Sequence, residues 1–205
     1  MMNDTVNEMS TTAPTQRLYL VRAVIALVWA GLLTAALSST GSLTPTESVP
    51  AFAIALLILY PVIDIVASLV DARTQRPDGP RNATTQLFNA AVSTVAAVAI
   101  AVTASHGADA ILRVFGIWAF LTGLVQLSLA VLRHRRGIAG QWPMMLSGGL
   151  STLVGLSFVK ASTQDDLKLS SLAGYATLGA VFYLLSAWRL RSSATAARST
   201  SRTGA

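Results

Sequence analysis

The stretch "AVSTVAAVAIAVTA", residues 91–104, is almost wholly apolar and shows no regular alternation of polar and apolar residues. A membrane β-strand would alternate over about ten residues, whereas a membrane helix needs about 20 consecutive, mostly apolar residues. The stretch lies inside a longer apolar segment, 85–105, which has the length that a helix requires. It therefore predicts a membrane-spanning α-helix.

Five other segments have the same length and character, at 18–38, 50–71, 110–132, 142–160 and 169–190. The sequence thus predicts an all-α polytopic membrane protein with six transmembrane helices in a domain over residues 17–191. The flanking segments, 1–16 and 192–205, are rich in Ser, Thr and Ala and are predicted to be disordered tails, the second of them basic. The first segment could alternatively be a cleaved signal peptide, although its apolar stretch exceeds the usual length of about 7–15 residues.

Composition agrees with a membrane protein and argues against enzymes that depend on cysteine. Hydrophobic residues make up 53% of the chain and charged residues 12%, about half the charged fraction of a soluble domain. With no cysteine, the chain has no disulfide, no thiolate metal site and no cysteine nucleophile. Because it also lacks the motifs of hydrolases, zinc proteases and nucleotide-binding enzymes, we predict no catalytic, cofactor-binding or metal-binding residues and no enzymatic activity. An intramembrane enzyme is the least supported alternative.

Basic residues indicate how the helices are oriented. Twelve of the fifteen lie at the N-terminal end, in the second and fourth loops or in the C-terminal tail, and only Arg113, Lys160 and Lys168 lie near the other three loops. The positive-inside rule then places both termini in the cytoplasm. The predominance of arginine over lysine fits a GC-rich bacterial genome, so we expect a bacterial inner membrane. Since the basic residues lie at the ends of apolar segments and not on a folded polar face, no nucleic acid partner is expected.

A weak internal repeat relates three of the helices. "PVIDIVASL" (61–69), "GLVQLSLAV" (123–131) and "GAVFYLLSA" (179–187) align without gaps, each a few residues before an arginine. The chain is therefore predicted to form three tandem helical hairpins, over 18–71, 85–132 and 142–190. In this alignment Asp64 is equivalent to Gln126 and to Phe182, which suggests a shared interior position.

Residues 114–159, "VFGIWAFLTGLVQLSLAVLRHRRGIAGQWPMMLSGGLSTLVGLSFV", carry a resemblance to a known family. Its features are Phe115-Gly116, Trp118, Gly123, Gln126, the basic loop, Trp142 and the glycines from Gly148-Gly149 to Gly155. The stretch resembles the short-repeat bacterial membrane proteins of the HdeD type, and the first two spans resemble them more loosely through Arg22, Gly31 and the segment 61–64. The resemblance implies an inner-membrane protein associated with acid or general stress resistance and implies no enzymatic activity.

Asp64 is the candidate functional residue, because it is a lone carboxylate inside an apolar span. At such a depth a carboxylate costs roughly 2–3 kcal/mol, so it should face the bundle interior, find a partner or bind a proton. Arg22, about one turn into the first span from the same side, is the expected partner. We define a candidate intramembrane polar site of Asp64, Arg22, Gln126 and Asn89. A static ion pair or hydrogen bond that fixes the hairpin is the favoured interpretation, and a protonatable switch is the functional one. A small transporter or channel would require these groups to line a continuous polar cavity.

Small residues spaced four apart predict close helix packing. They are Ser147, Ser151 and Gly155 on the fifth span, and Ser93, Ala97, Ala101 and Ser105 on the third. Packing within the chain is the favoured interpretation, and a homo-oligomer is the alternative. Besides the lipid bilayer itself, the expected partners are anionic lipid headgroups at the cytoplasmic face, because Arg133, Arg135 and Arg136 form a basic loop suited to them and to anchoring the topology.

The predicted orientation can be checked with reporter fusions. Fusions after residues 45, 107 and 165 should report a periplasmic location, and fusions after residues 78, 137 and 195 a cytoplasmic one, because the basic loops are retained inside. The reversed pattern of reporter activity would overturn the orientation.

Overall fold

A computed structural model describes residues 2–74, 80–135 and 141–203, with side chains over 16–73, 83–135, 141–189 and at 191. Its elements are six α-helices: α1 (Met2–Ala36), α2 (Ala51–Thr74), α3 (Pro80–Thr103), α4 (Ala108–Arg135), α5 (Trp142–Ala161) and α6 (Ser171–Thr203). The helical backbone of α1 and α6 thus extends into the segments for which the sequence predicts tails. The disorder of those tails stays a prediction.

Each helix contains a segment long and apolar enough to cross a membrane: Gln16–Ala36, Ala51–Arg73, Ala83–Thr103, Ala108–Arg135, Trp142–Ala161 and Ser171–Arg189. Their ends differ from the predicted ends by at most three residues. The prediction of an all-α membrane protein with six spans is confirmed. Large apolar side chains such as Val95, Leu153 and Trp188 are more than half exposed, as expected of surfaces that face lipid.

The closest helix packing is between α4 and α5, α1 and α6, and α2 and α3. Within the predicted hairpins the helices pack less closely, and α1 with α2 least of all. The hairpins therefore describe the order of the chain, whereas the tight contacts join one hairpin to the next and the first helix to the last. In membranes, small residues allow helix backbones to approach closely.

Four glycines bring the backbones of α4 and α5 into direct contact. Gly116 lies against Gly155, and Gly123 lies against Gly148. A Cβ atom added at Gly123 would lie 2.6 Å from the backbone nitrogen of Thr152, closer than real contacts allow. Gly116 and Gly123 are seven residues apart on α4, and Gly148 and Gly155 are seven residues apart on α5. The two glycines of each helix therefore lie on one face, and together they form a continuous small-residue interface.

The small residues predicted to pack within the chain divide into buried and exposed groups. On α5, Ser151 is buried and its hydroxyl donates a hydrogen bond to the carbonyl oxygen of Ala119 at 3.0 Å. On α3, Ser93 and Ala97 are buried while Ala101 is exposed. The remaining two are Ser147, which is partly buried, and Ser105, which is exposed. Close packing inside the chain is thus confirmed for Gly155, Ser151, Ser93 and Ala97.

Three loops meet at one end of the bundle and form what we call the loop cap, residues 37–50, 104–107 and 162–170. Leu43 and Leu167 exchange two backbone hydrogen bonds, of 2.9 and 2.8 Å, between the first and last of these loops. The backbone nitrogen of Ala108 donates to the carbonyl oxygen of Glu47 at 3.1 Å. Gly107 has a φ of 123° and lies so close to the first loop that a Cβ atom would collide with it. The opposite end carries the arginines of the helix termini, and we call it the basic end.

An aromatic core fills the bundle between the loop cap and its middle. It consists of Trp29, Tyr60, Phe115, Trp118, Phe158 and Tyr175, contributed by every helix except α3. Phe115 is fully buried, and the rings of Trp29 and Tyr60 stack with centroids 4.2 Å apart. Trp29 Nε1 also donates to the carbonyl oxygen of Leu56 at 2.6 Å. This bond lies one turn before Pro61, which removes a backbone donor from α2.

We predict that Gly155→Ala destabilises the protein and that Gly149→Ala does not. The methyl group at residue 155 would meet the backbone of Phe120 and lie 2.7 Å from the carbonyl oxygen of Gly116, whereas residue 149 faces open space. Overpacking of this kind costs roughly 1–3 kcal/mol. The difference in melting temperature is measured by thermal unfolding of the detergent-solubilised protein, with size-exclusion chromatography as the readout of folded protein. Equal melting temperatures for the two variants would contradict the close α4–α5 contact.

Candidate functional site

Polar side chains follow one face of α2 and one face of α3 in the half of the bundle near the basic end. Residues spaced three, four and seven apart lie on the same side of a helix. Because α2 and α3 pack closely, the two polar faces meet. We call their residues the polar stripe: Asp64, Ser68 and Asp71 on α2, and Gln86, Asn89 and Ser93 on α3.

Asp64 is held at the inner end of this stripe by hydrogen bonds from α3. Its Oδ2 atom accepts from Asn89 Nδ2 at 2.8 Å and from Ser93 Oγ at 2.6 Å. Asn89 Nδ2 also donates to Ser68 Oγ at 2.9 Å, and Trp118 Nε1 of α4 donates to Ser93 Oγ at 2.9 Å. We call these five residues the Asp64 cluster. It joins three helices at one depth.

The direction of these hydrogen bonds can be assigned from the chemistry of the groups. An indole N–H only donates, so Ser93 Oγ accepts from Trp118 and directs its own hydrogen to Asp64. An amide nitrogen also only donates, so Asn89 directs a hydrogen to the same carboxylate oxygen. Hydrogen bonds to a charged acceptor are stronger than neutral ones and offset part of the cost of placing a carboxylate in a span. The arrangement therefore suits an ionised Asp64.

Arg22 pairs with Asp71 and not with Asp64, so the predicted partner of Arg22 is wrong. Its Nη2 atom lies 2.8 Å from Asp71 Oδ2, and the two side chains are 17% and 10% exposed. Asp71 is two helical turns, about 10 Å, nearer the basic end than Asp64. The free-energy cost of extending an arginine side chain is lower towards the membrane surface than towards the bilayer centre. This difference accounts for the pairing of Arg22 with Asp71.

A tyrosine from the last helix completes the surroundings of Arg22. Nη1 of Arg22 donates to the hydroxyl of Tyr183 at 3.4 Å, and the guanidinium lies 5.7 Å from the centroid of the Tyr183 ring. Tyr19 stacks on the same ring with a centroid separation of 6.0 Å. We call Tyr19, Arg22, Asp71 and Tyr183 the Arg22 cluster. It ties the α1–α6 pair to α2 at the basic end.

Of the four residues predicted to form one polar site, two contact each other directly. Asp64 and Asn89 are hydrogen-bonded, while Arg22 belongs to the neighbouring cluster. Gln126 is partly buried on α4 and makes none of the hydrogen bonds that define either cluster. The residue that α4 contributes is Trp118, about two turns closer to the N-terminus of the helix than the repeat alignment indicated.

Three members of the polar stripe were not predicted as site residues: Asp71, Ser68 and Ser93. Asp71 lies at the end of a span beside Arg73, where a carboxylate is ordinary, and serine is common in packed membrane helices. Their helical spacing from Asp64 and Asn89 was the available signal. Spacing alone could not show that the two faces meet.

Two of the predicted lipid-anchoring residues, Arg133 and Arg135, lie at the basic end. Arg133 is partly buried, with Nη1 3.9 Å from Met144 Sδ, and Arg135 is exposed. Arg136 lies outside the described residues. Trp142, which begins α5, is 66% exposed and its ring is near that of His134, with centroids 6.4 Å apart. Exposed tryptophan beside arginine is typical of a membrane–water interface.

Comparisons of the chain with protein-family models, curated proteins and solved structures gave no match. The resemblance to the HdeD type therefore stays a prediction.

We predict that Ser93→Ala lowers stability and that its neighbour variant Thr94→Ala does not. Ser93→Ala leaves the indole N–H of Trp118 without its acceptor and removes a donor from Asp64. An unsatisfied buried polar group costs roughly 1–3 kcal/mol. Thr94 is exposed, and its hydroxyl donates to the carbonyl oxygen of Ala90 on the same helix. If thermal unfolding of Ser93→Ala matches that of the unaltered protein, the hydrogen-bonded cluster is refuted.

Proposed function

We propose that this chain is a non-enzymatic, multi-pass protein of a bacterial inner membrane, of the HdeD type, that contributes to tolerance of acid or general envelope stress. Six membrane-spanning helices support the membrane assignment. The observation that carries the proposal is Asp64, a carboxylate within a span whose contacting donors, Asn89 and Ser93, are both neutral.

A carboxylate with neutral partners can change its charge without breaking an ion pair. An ionised carboxylate only accepts hydrogen bonds, whereas a protonated one also donates. Proton binding at Asp64 would therefore remove a charge from the bundle interior and change the bonds to Asn89 and Ser93. Since those bonds join α2 to α3, the packing of the two helices would respond to acid. The same groups could alternatively act as a static contact that fixes α2 on α3.

A small transporter or channel is the second candidate. It is favoured by the meeting of Asp64 and Asn89 in the interior and by Pro61, which lies inside α2 about one turn before Asp64 and removes a backbone donor there. Proton and ion carriers usually line their route with several ionisable groups, and Gln126 lies outside the cluster. We therefore rank this function below the first.

Survival under acid tests the proposed function. Asp64→Asn keeps the shape of the side chain and cannot be ionised, so cells that express it should survive acid no better than cells without the protein. Asp165→Asn, which alters an exposed carboxylate in the loop cap, should support survival as the unaltered protein does. Both variants are compared at equal abundance in the membrane, and osmotic and detergent challenges are run in parallel. Full acid survival with Asp64→Asn would refute the role of Asp64 in this function.

A further inference from the structure

We propose that Asp64 is a one-sided proton-binding site, reached only from the basic end of the bundle along the polar stripe and closed there by the contact between Arg22 and Asp71. The inference rests on the proposed function in taking the proton as the ligand of Asp64. It adds the direction of access, the groups that provide it and the contact that limits it.

The buried side chains differ on the two sides of Asp64. Towards the loop cap they are large and apolar, and the fully buried ones include Leu33, Leu57, Ile100, Ile111, Leu112 and Leu172. Towards the basic end the buried apolar residues are mostly small, with Ala23, Ala26 and Ala180 forming a separate cluster against Tyr183. A proton moves along hydrogen-bonding groups or water. On the loop-cap side the hydroxyl groups of Tyr175 and Ser151 bond to each other at 2.7 Å among these packed side chains, and they form neither of the described hydrogen bonds to Asp64. The large apolar side thus acts as the barrier.

The loop cap closes the apolar side further. Leu43, Leu167 and Leu169 are each 1% exposed or less and pack against the same core as Phe115. The first and third loops are joined by the paired backbone bonds of Leu43 and Leu167. Water reaching Asp64 from this end would have to separate the loops and then the aromatic core.

The polar stripe supplies hydrogen-bonding groups in the other direction. Asp64, Asn89 and Ser68 are linked by bonds of 2.8 and 2.9 Å. Asp71 follows Ser68 on the same face of α2 at the next turn, and Gln86 precedes Asn89 on α3; both are less than 10% exposed. Hydrogen-bond donors and acceptors therefore continue from Asp64 to the basic end.

The contact between Arg22 and Asp71 lies at the outer end of this stripe. It joins α1 to α2, a pair of helices that otherwise packs loosely. Nε of Arg22 is buried with no hydrogen-bond partner among the described residues, so the guanidinium gains no full set of bonds in this position. Loss of the pair would remove this link between α1 and α2 and would open the entrance to the stripe.

Charged and titratable groups approach Asp64 from three helices. They are Arg22 from α1, Tyr60 and Asp71 from α2, and Tyr175 from α6. On α3 the facing groups are the neutral Asn89 and Ser93, and α4 contributes Trp118 through Ser93. Arg133 of α4 interacts with Asp71.

Proton access can be measured with dicyclohexylcarbodiimide, which adds to a protonated carboxyl group to form a stable acylurea without a leaving group. The full chain is placed in sealed vesicles, and the pH is lowered by about two units on one side at a time. Acid on the side of the basic end should raise labelling of Asp64 at least about tenfold, since proton occupancy below half-saturation follows proton concentration. Acid on the loop-cap side should leave labelling unchanged. Mass spectrometry locates the adduct, and Asp64→Asn is the blank.

Single cysteines provide a second measurement, because the chain has none of its own. Ser68→Cys lies in the stripe, and Ala53→Cys is the matched buried position on the loop-cap side of the same helix. Exposed Arg135→Cys and Asp165→Cys identify the two sides of the vesicle. A membrane-impermeant thiol reagent should modify Ser68→Cys only from the side that modifies Arg135→Cys, and Asp71→Asn should raise that rate roughly tenfold, the factor that corresponds to about 1.4 kcal/mol. Ala53→Cys should react from neither side.

Three results would overturn the inference: Asp64 labelling that follows the pH of the loop-cap side, labelling that follows both sides, or labelling that follows neither. Unchanged reactivity of Ser68→Cys in the Asp71→Asn background would overturn the closing role of the Arg22 pair. These results are separate from acid survival. If access is one-sided and Asp64→Asn still supports full survival, the proton site stands and the proposed function fails.

Discussion

A carboxylate inside a membrane span must obtain its hydrogen bonds from protein, because hydrocarbon offers none. Asp64 obtains them from Asn89 and Ser93, and Ser93 in turn accepts from Trp118. This requirement sets the register of α2 on α3 and brings α4 to the same depth. Trp118 is also a member of the aromatic core, so the polar and apolar halves of the bundle share a residue.

The two halves have different structural roles. The half next to the loop cap is held by aromatic packing and by backbone bonds between loops, and it resists water. The half next to the basic end contains the polar stripe, small alanines and the Arg22 cluster. The α4–α5 glycine interface lies beside both halves and packs these two helices by backbone contact. An element that responds to acid is more easily accommodated in the polar half, where fewer large side chains must repack.

Much of the fold follows from segment length and hydropathy, and the site follows only in part. All six spans were predicted to within three residues, since the thickness of a bilayer fixes the length of an apolar helix. Asp64 and Asn89 were identified because polar groups in a span need interior partners. Hydropathy predicts how deep in the membrane a residue lies, but it does not predict which helix packs against each face. It could therefore not show that Arg22 pairs with Asp71 or that α1 packs on α6. The repeat likewise aligned Gln126 with Asp64, although sequence equivalence does not give two residues the same neighbours.

The most direct test of the central claim, that Asp64 is held by α3 and not by Arg22, is a pair of double-mutant cycles on thermal stability in detergent. One cycle combines Asp64→Asn with Ser93→Ala, and the other combines Asp64→Asn with Arg22→Gln. Residues in direct contact typically show coupling energies of roughly 0.5–3 kcal/mol, and separated residues add to within about 0.5 kcal/mol. We predict clear coupling between Asp64 and Ser93 and weaker coupling between Asp64 and Arg22, because Arg22 acts on Asp64 through its charge and not through a hydrogen bond. Strong coupling to Arg22 with none to Ser93 would contradict the account.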